Sequence, residues 1–123
     1  MQRTSLAGRS ILAVEDERLI ALDIADTFKK AGAHVTTTNT RRHALVLVDH
    51  DGLSAAVLDH ALGDGDSDVL CRRLKERSIP FVNYSGFSRL QGACVDAPRV
   101  QKPASPTVVV ETVVRLLQSG ANP

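Results

Sequence analysis

The stretch SILAVEDERLIALDIADTFKKAG, residues 10–32, sets the architecture. Its first five residues, Ser10–Val14, are an apolar run without polar alternation, the pattern of a strand buried on both faces. Two acids, Glu15 and Asp16, end the run. From Glu17 to Ala31 the pattern changes: Ile20, Ile24 and Phe28 recur every fourth residue, the stripe of an amphipathic helix, and Gly32 stops it.

Beyond this unit the alternation repeats. His34–Thr38, rich in Val and Thr, reads as a second strand, and Thr40–Val48 as a helix with Leu45 and Val48 inward. Asp51-Gly52 is a turn before Leu53–Leu58, a strand apolar on both faces. A Gly/Asp loop at 63–66 precedes a helix over Ser67–Arg77 with Leu70 and Leu74 inward. Ile79–Tyr84 is the fourth strand and Arg99–Gln101 a short fifth. Ser105-Pro106 offers a cap with proline at the first helical position, opening a last helix through Gln118 before Gly120. Strands alternating with helices and buried on both faces imply an α/β fold, a parallel sheet between two helix layers. The weak stretch is Phe87–Pro98, where only Arg89–Val95 has a short helical pattern.

The 123 residues suit one domain. The core must be aliphatic, since 43% of the chain is hydrophobic but only three Phe, one Tyr and no Trp are present. A net charge of +1 without a basic block argues against nucleic-acid binding, which draws its affinity from clustered cations. No apolar run approaches the roughly 18–20 residues needed to span a bilayer, and the N-terminus lacks a signal-peptide pattern. The expectation is a cytoplasmic protein with no membrane partner. Cys71 and Cys94 are too few for a disulfide framework and fit no zinc spacing. Cys71 reads as small apolar filler within a helix and Cys94 as a residue of the variable loop, neither with an evident partner.

The polar residues that interrupt the strands all fall at strand carboxyl ends: Glu15 and Asp16 after the first, Asp59 after the third, Ser85 at the fourth and Lys102 after the fifth. In an open parallel sheet those ends share one edge, where ligands bind. Three carboxylates brought together repel, so a cation must sit among them. Oxygen-only donors suit a hard ion such as Mg²⁺. Asp59 is then the natural nucleophile, able to form an acyl phosphate. Mg²⁺ and the Lys102 ammonium would neutralise the phosphoryl oxygens, and the Ser85 hydroxyl would add a hydrogen bond.

On four segments, ILAVEDE at 11–17, AAVLDHALGDGDS at 55–67, PFVNYSGF at 80–87 and VQKPAS at 100–105, the sequence resembles the bacterial response-regulator receiver family. The resemblance runs from Ser10 to Gln118. It implies a CheY-like, flavodoxin-like three-layer sandwich with a five-stranded parallel sheet of order 2-1-3-4-5. It also implies that Asp16 is a direct Mg²⁺ ligand and that Glu15 acts through water. Asp59 would be the phosphoacceptor and the Ala61 carbonyl a further ligand. Ser85 would be the phosphoryl-contacting hydroxyl, and Lys102 the lysine of a Lys-Pro pair with a cis bond to Pro103. The implied partners are a sensor histidine kinase or histidine phosphotransfer protein and an unknown downstream protein, with catalysis confined to the chain's own phosphorylation and dephosphorylation. Residues 8–119 would be the receiver, with flexible termini at 1–7 and 120–123 and no output domain, so that the protein signals through contacts or drains phosphate.

Departures from the family pattern are informative. The position three before Lys102, often aromatic in receivers, is Arg99. The stretch from Ser85 to Lys102 is shorter than usual, so the fourth helix is expected to be short or irregular, and activation to order Gly86–Pro98. The run Ser85-Gly86-Phe87 partly resembles the FAT-GUY subgroup of single-domain receivers, with Tyr84 and Phe87 as substitute switch residues or ordinary packing.

Other readings fit less well. Asp64, Asp66 and Asp68 mimic the start of an EF-hand loop, but its sixth and twelfth positions hold Val69 and Lys75 instead of Gly and Glu. His60 flanks Asp59 on the opposite strand face, and His34, His43 and His50 form no ligand set. A haloacid-dehalogenase-type phosphatase would carry an acid at Ala61, and a flavin carrier a hydroxyl-rich loop where Glu15-Asp16-Glu17 stands. The remaining alternative is an interaction module on a receiver fold that signals without phosphorylation.

Overall fold

A computed structural model describes residues 5–50, 52–59, 68–86, 92–95 and 97–119. Strands and helices alternate along them: β1 Ser10–Val14, α1 Arg18–Lys30, β2 His34–Thr38, α2 Arg41–Asp49, β3 Ala55–Leu58, α3 Asp68–Glu76, β4 Phe81–Ser85, β5 Arg99–Gln101 and α4 Pro106–Ser119. Every strand pairing is parallel and the sheet order is β2-β1-β3-β4-β5, as expected.

The two-residue repeat of a strand divides the apolar side chains between two cores. Ile11, Ala13, Ala55, Val57, Val82, Tyr84 and Val100 face Ile24 and Phe28 of α1 and Val109, Val110, Val113 and Leu116 of α4. Leu12, Val14, Ala56, Leu58 and Phe81 face Ala44 and Val48 of α2 and Leu70 and Leu74 of α3. Because β1, β3 and β4 are covered on both faces, they lack polar alternation. By contrast β2, at the edge, exposes His34, Thr36 and Thr37.

Element ends follow local chemistry. Thr40 caps α2, its hydroxyl accepting from the His43 amide at 3.2 Å. Gly32 closes α1 with φ 99°, a left-handed conformation that suits glycine. The fourth strand begins at Phe81, two residues later than the sequence pattern indicates, because Ser78, Ile79 and Pro80 complete the turn out of α3. There the Ile79 amide reaches back to the Leu74 carbonyl at 2.9 Å and the Ser78 amide to the Lys75 carbonyl at 3.0 Å.

Between β4 and β5 the described residues hold a single 3₁₀ turn, Gly92–Cys94, in agreement with a short fourth helix. The structure corrects the reading of the cysteines. Cys71 of α3 and Cys94 are joined as a disulfide, their Cα atoms 5.3 Å apart. Twenty-three positions separate them in the chain, so only the packing of the turn on α3 reveals the pairing. Asp68 joins the same contact, accepting from the Ala93 amide at 2.8 Å. The acidic loop at 63–66, His60, Ala61 and Phe87 lie outside the described residues.

Ser78 closes α3 in the left-handed region, with φ 57°. That conformation strains a residue with a Cβ and not glycine. Ser78→Gly should therefore raise unfolding free energy by up to about 1 kcal/mol in urea titrations. A loss of stability would show that the Ser78 side chain contributes more than its backbone strain removes.

Candidate functional site

Hydrogen bonds of the sheet run one residue past the strands and set the acids in place. The Glu15 amide donates to the Thr38 carbonyl at 2.9 Å, and the Asp59 amide to the Val14 carbonyl at 2.8 Å. On the other side the Lys102 amide donates to the Ser85 carbonyl at 3.0 Å. The Lys102–Pro103 bond is cis, as the Lys-Pro resemblance implies. Glu15, Asp59, Ser85 and Lys102 thus stand at one carboxyl edge, although they come from four strand ends.

The side chains converge. Carboxylate oxygens of Glu15, Asp16 and Asp59 all lie within 4.8 Å of one another. The Lys102 Nζ is 3.0 Å from Glu15 Oε1 and 3.5 Å from Asp59 Oδ2. Glu15 and Asp59 are buried and Asp16 is exposed, so the cluster has a closed floor and an open lip. Ser85 is buried at the end of β4.

One ammonium cannot neutralise three carboxylates. Burial pushes the Glu15 carboxyl up to about 7, although the Glu17 amide, 3.0 Å away, and Lys102 pull it down; the Asp59 carboxylate pushes it further up. Desolvation and Asp59 also hold Asp16 above the ordinary carboxylate range. For Lys102, burial acts downward, but Glu15 and Asp59 outweigh it and the net direction is upward. Three acids with one cation leave a negative site whose donors are all oxygen, the set that a hard divalent cation satisfies.

The sequence pattern missed two supports of Lys102. The Tyr84 ring lies 5.4 Å from its ammonium, and the Tyr84 hydroxyl donates to the Ala104 carbonyl at 2.6 Å, which ties β4 to the segment just past the Lys-Pro bond. Tyr84 is core packing as well as a site residue, since it is buried against α4. Its alternation with Ser85 on a strand ending at the site was the available signal. Arg99, at the position often aromatic in receivers, is exposed. His34, His43 and His50 are exposed, with His43 bonded to the Thr38 hydroxyl at 2.8 Å. No described helix is long and apolar enough to cross a membrane.

No family model matches the sequence, and a search of curated proteins finds no match. Solved structures do match. A response regulator receiver protein from Sinorhizobium medicae superposes with a TM-score of 0.84 at 23% identity, covering 93% of this chain and 98% of that one. The receiver domain of a sensor histidine kinase from Pseudomonas aeruginosa, with a magnesium ion coordinated in its active-site cleft, gives 0.78 at 22% identity, covering 91% and 99%. A response regulator protein from Burkholderia pseudomallei, with a phosphorylated aspartic acid, calcium ion and citrate, gives 0.77 at 17% identity, covering 91% and 70%.

Two measurements check the electrostatics in metal-free buffer. The Glu15 carboxyl binds its proton more tightly in the fold, at about 7, than at its ordinary value of 4.5. The resulting stabilisation is complete below the ordinary value and is lost as pH rises through the folded value. Between about pH 5 and about pH 8, wild type should therefore lose on the order of 1–3 kcal/mol relative to Glu15→Gln. A pH-independent difference would mean that Glu15 is ionised throughout. Asp16→Asn removes like-charge repulsion and should leave the thermal midpoint unchanged or raise it, by up to about 1 kcal/mol in stability; a large fall would make Asp16 structural. Fold, strand order and carboxyl-edge cluster together give this chain the CheY-like fold of response-regulator receiver domains.

Proposed function

We propose that residues 8–119 are a receiver of a two-component pathway that accepts a phosphoryl group on Asp59. The observation that carries this reading is the placement of Asp59: buried at the carboxyl edge, 3.5 Å from the Lys102 ammonium and clustered with Glu15 and Asp16. The magnesium ion and the phosphorylated aspartate of the Pseudomonas and Burkholderia proteins support the same chemistry in this fold.

The donor set fits Mg²⁺, since it offers carboxylates alone and retains negative charge after Lys102 is counted. Asp16, Asp59 and the Ala61 carbonyl would hold the ion directly and Glu15 through water. When bound, Mg²⁺ supplies positive charge to the phosphoryl oxygens and relieves the repulsion among the acids.

An Asp59 carboxylate oxygen attacks the phosphorus of a phosphohistidine or a small acyl phosphate, and the donor leaves as the P–N or P–O bond breaks. Charge on the equatorial oxygens is met by Lys102, whose present partners are the carboxylates that phosphorylation would rearrange. The Ser85 hydroxyl donates to one of those oxygens. Hydrolysis then removes the group: water attacks phosphorus, the P–O bond to Asp59 breaks, and inorganic phosphate leaves the carboxylate free. The phosphoryl donor is a sensor histidine kinase or histidine phosphotransfer protein in the cytoplasm, and the phosphorylated form acts through a downstream protein or as a phosphate sink. The Ser85-Gly86-Phe87 run partly resembles the FAT-GUY subgroup.

Acetyl phosphate with Mg²⁺ tests this. Intact-mass analysis should show one phosphate on wild type and none on Asp59→Asn, and Lys102→Ala should slow labelling by roughly a hundredfold. Labelling that survives Asp59→Asn would move the acceptor elsewhere. A protein that takes no label from acetyl phosphate or from phosphorylated kinases would instead be an interaction module on this fold.

A further inference from the structure

The disulfide lies outside the acidic cluster and has no part in the chemistry above. It joins the first half of α3 to the end of the Gly92–Cys94 turn, and both cysteines are fully buried. We propose that Cys71 and Cys94 are a reversible thiol–disulfide pair, oxidised by hydroperoxides, that locks the connection between β4 and β5 and so uncouples it from the phosphoryl site. The coupling half of this inference rests on the Asp59 reading; the redox half does not.

Three observations carry it. First, the turn Gly92–Cys94 packs on α3, with Cys94 and Ala97 buried beside Leu70 and Leu74 and Ala93 against the same cluster. Its polar ties include the Ala93 amide to Asp68 Oδ1 at 2.8 Å and the Asn83 Nδ2 to the Cys94 carbonyl at 3.1 Å. Local opening of such a turn costs less than unfolding the whole domain. In the dithiol state that opening exposes Cys94 to a water-sized oxidant, whereas the closed bond buries both sulfurs. Disulfides in a reducing cytoplasm, the compartment proposed above, are seldom static staples and are typically transient or redox-sensing.

Second, Asn83 is fully buried and its Oδ1 has no hydrogen-bond partner among the described residues, while its Nδ2 holds the Cys94 carbonyl. An orphaned buried acceptor calls for an explanation. A disulfide has no hydrogen to donate, whereas reduction restores two S–H donors, one of them on the residue whose carbonyl Asn83 holds. The polar lining is therefore incomplete in the oxidised state.

Third, the clamp bears on the site through the backbone. Asn83 precedes Ser85 by two positions on β4, and its amide donates to the Pro98 carbonyl at 2.9 Å, just before β5. The strand β5 leads to Lys102, whose amide returns to the Ser85 carbonyl. The connection fixed by the sulfur bridge thus begins at Ser85 and ends at Lys102, the two groups a phosphoryl on Asp59 would draw in. Holding its middle on α3 restricts any response at its ends.

The chemistry balances. The Cys94 thiolate attacks one oxygen of a hydroperoxide ROOH, the O–O bond breaks, ROH leaves, and the sulfur becomes a sulfenic acid. The Cys71 thiol then attacks that sulfur, an S–S bond forms and water leaves. Two electrons pass from the sulfurs to the peroxide. A dithiol reductant reverses the step by exchange through a mixed disulfide.

The full chain is the material for the test. One portion is reduced and freed of reductant without air, and another is treated with one equivalent of hydrogen peroxide. Alkylation and mass analysis should find two thiols in the first and none in the second, with two hydrogens lost and regained on adding dithiothreitol. Hydrogen exchange with Mg²⁺ and beryllofluoride should slow at least tenfold over residues 92–101 in the dithiol form and change less than twofold in the disulfide form. Cys94→Ala should behave as the dithiol form with or without peroxide. The proposal is overturned if reductant releases no thiols from folded protein, or if beryllofluoride acts equally on both forms. Acetyl phosphate labelling separates the failures. Asp59 labelled in both forms with equal exchange responses refutes the lock, whereas labelling in neither form refutes the phosphoacceptor reading on which the coupling rests.

Discussion

Repulsion among Glu15, Asp16 and Asp59 is the constraint around which this edge of the molecule is built. The three acids come from two neighbouring strands whose hydrogen bonds fix them too close to ignore one another. One ammonium, from the far end of the sheet, enters between Glu15 and Asp59. Burial sharpens the conflict, because desolvation penalises each charge and weakens screening between them. The fold answers part of it by raising the Glu15 carboxyl to about 7, and a divalent cation would relieve the rest. A site so arranged is primed for ligands that change its charge.

The same sheet that creates this tension also confines it. Behind the acids β1, β3 and β4 are covered on both faces by aliphatic side chains, so the edge residues cannot relax inward. Tyr84 links the two regimes, with its ring packed in the core beside α4, its hydroxyl on the Ala104 carbonyl and its face near the Lys102 ammonium. Lys102 is therefore positioned by packing as well as by charge, which keeps it half-buried between two carboxylates.

The connection from β4 to β5 follows different rules. Among its described residues is one 3₁₀ turn, joined by a covalent bond to α3 and by hydrogen bonds to Asp68 and Asn83. Its small residues also pack beside Leu70 and Leu74, so sulfur bridge, hydrogen bonds and apolar contact hold the turn together. Arg99, three positions before Lys102, is exposed on β5.

The order of elements, the parallel sheet and the convergence of Glu15, Asp16, Asp59, Ser85 and Lys102 were legible in the chain, because those follow from local periodicity and one topological rule. Buried runs such as Ser10–Val14 and Ala55–Leu58 fit only central strands, and parallel strands place their carboxyl ends together. The strand sequence 2-1-3-4-5 came from the likeness of four short segments to receivers, and the packed fold has it. The Cys71–Cys94 bond, the partners of Lys102, the orphaned Asn83 acceptor and the late start of β4 at Phe81 emerged only on packing. Each depends on how side chains distant in the chain meet, or on how Ser78 leaves α3. No periodicity records such contacts, since they are set between elements and not by the pattern within one.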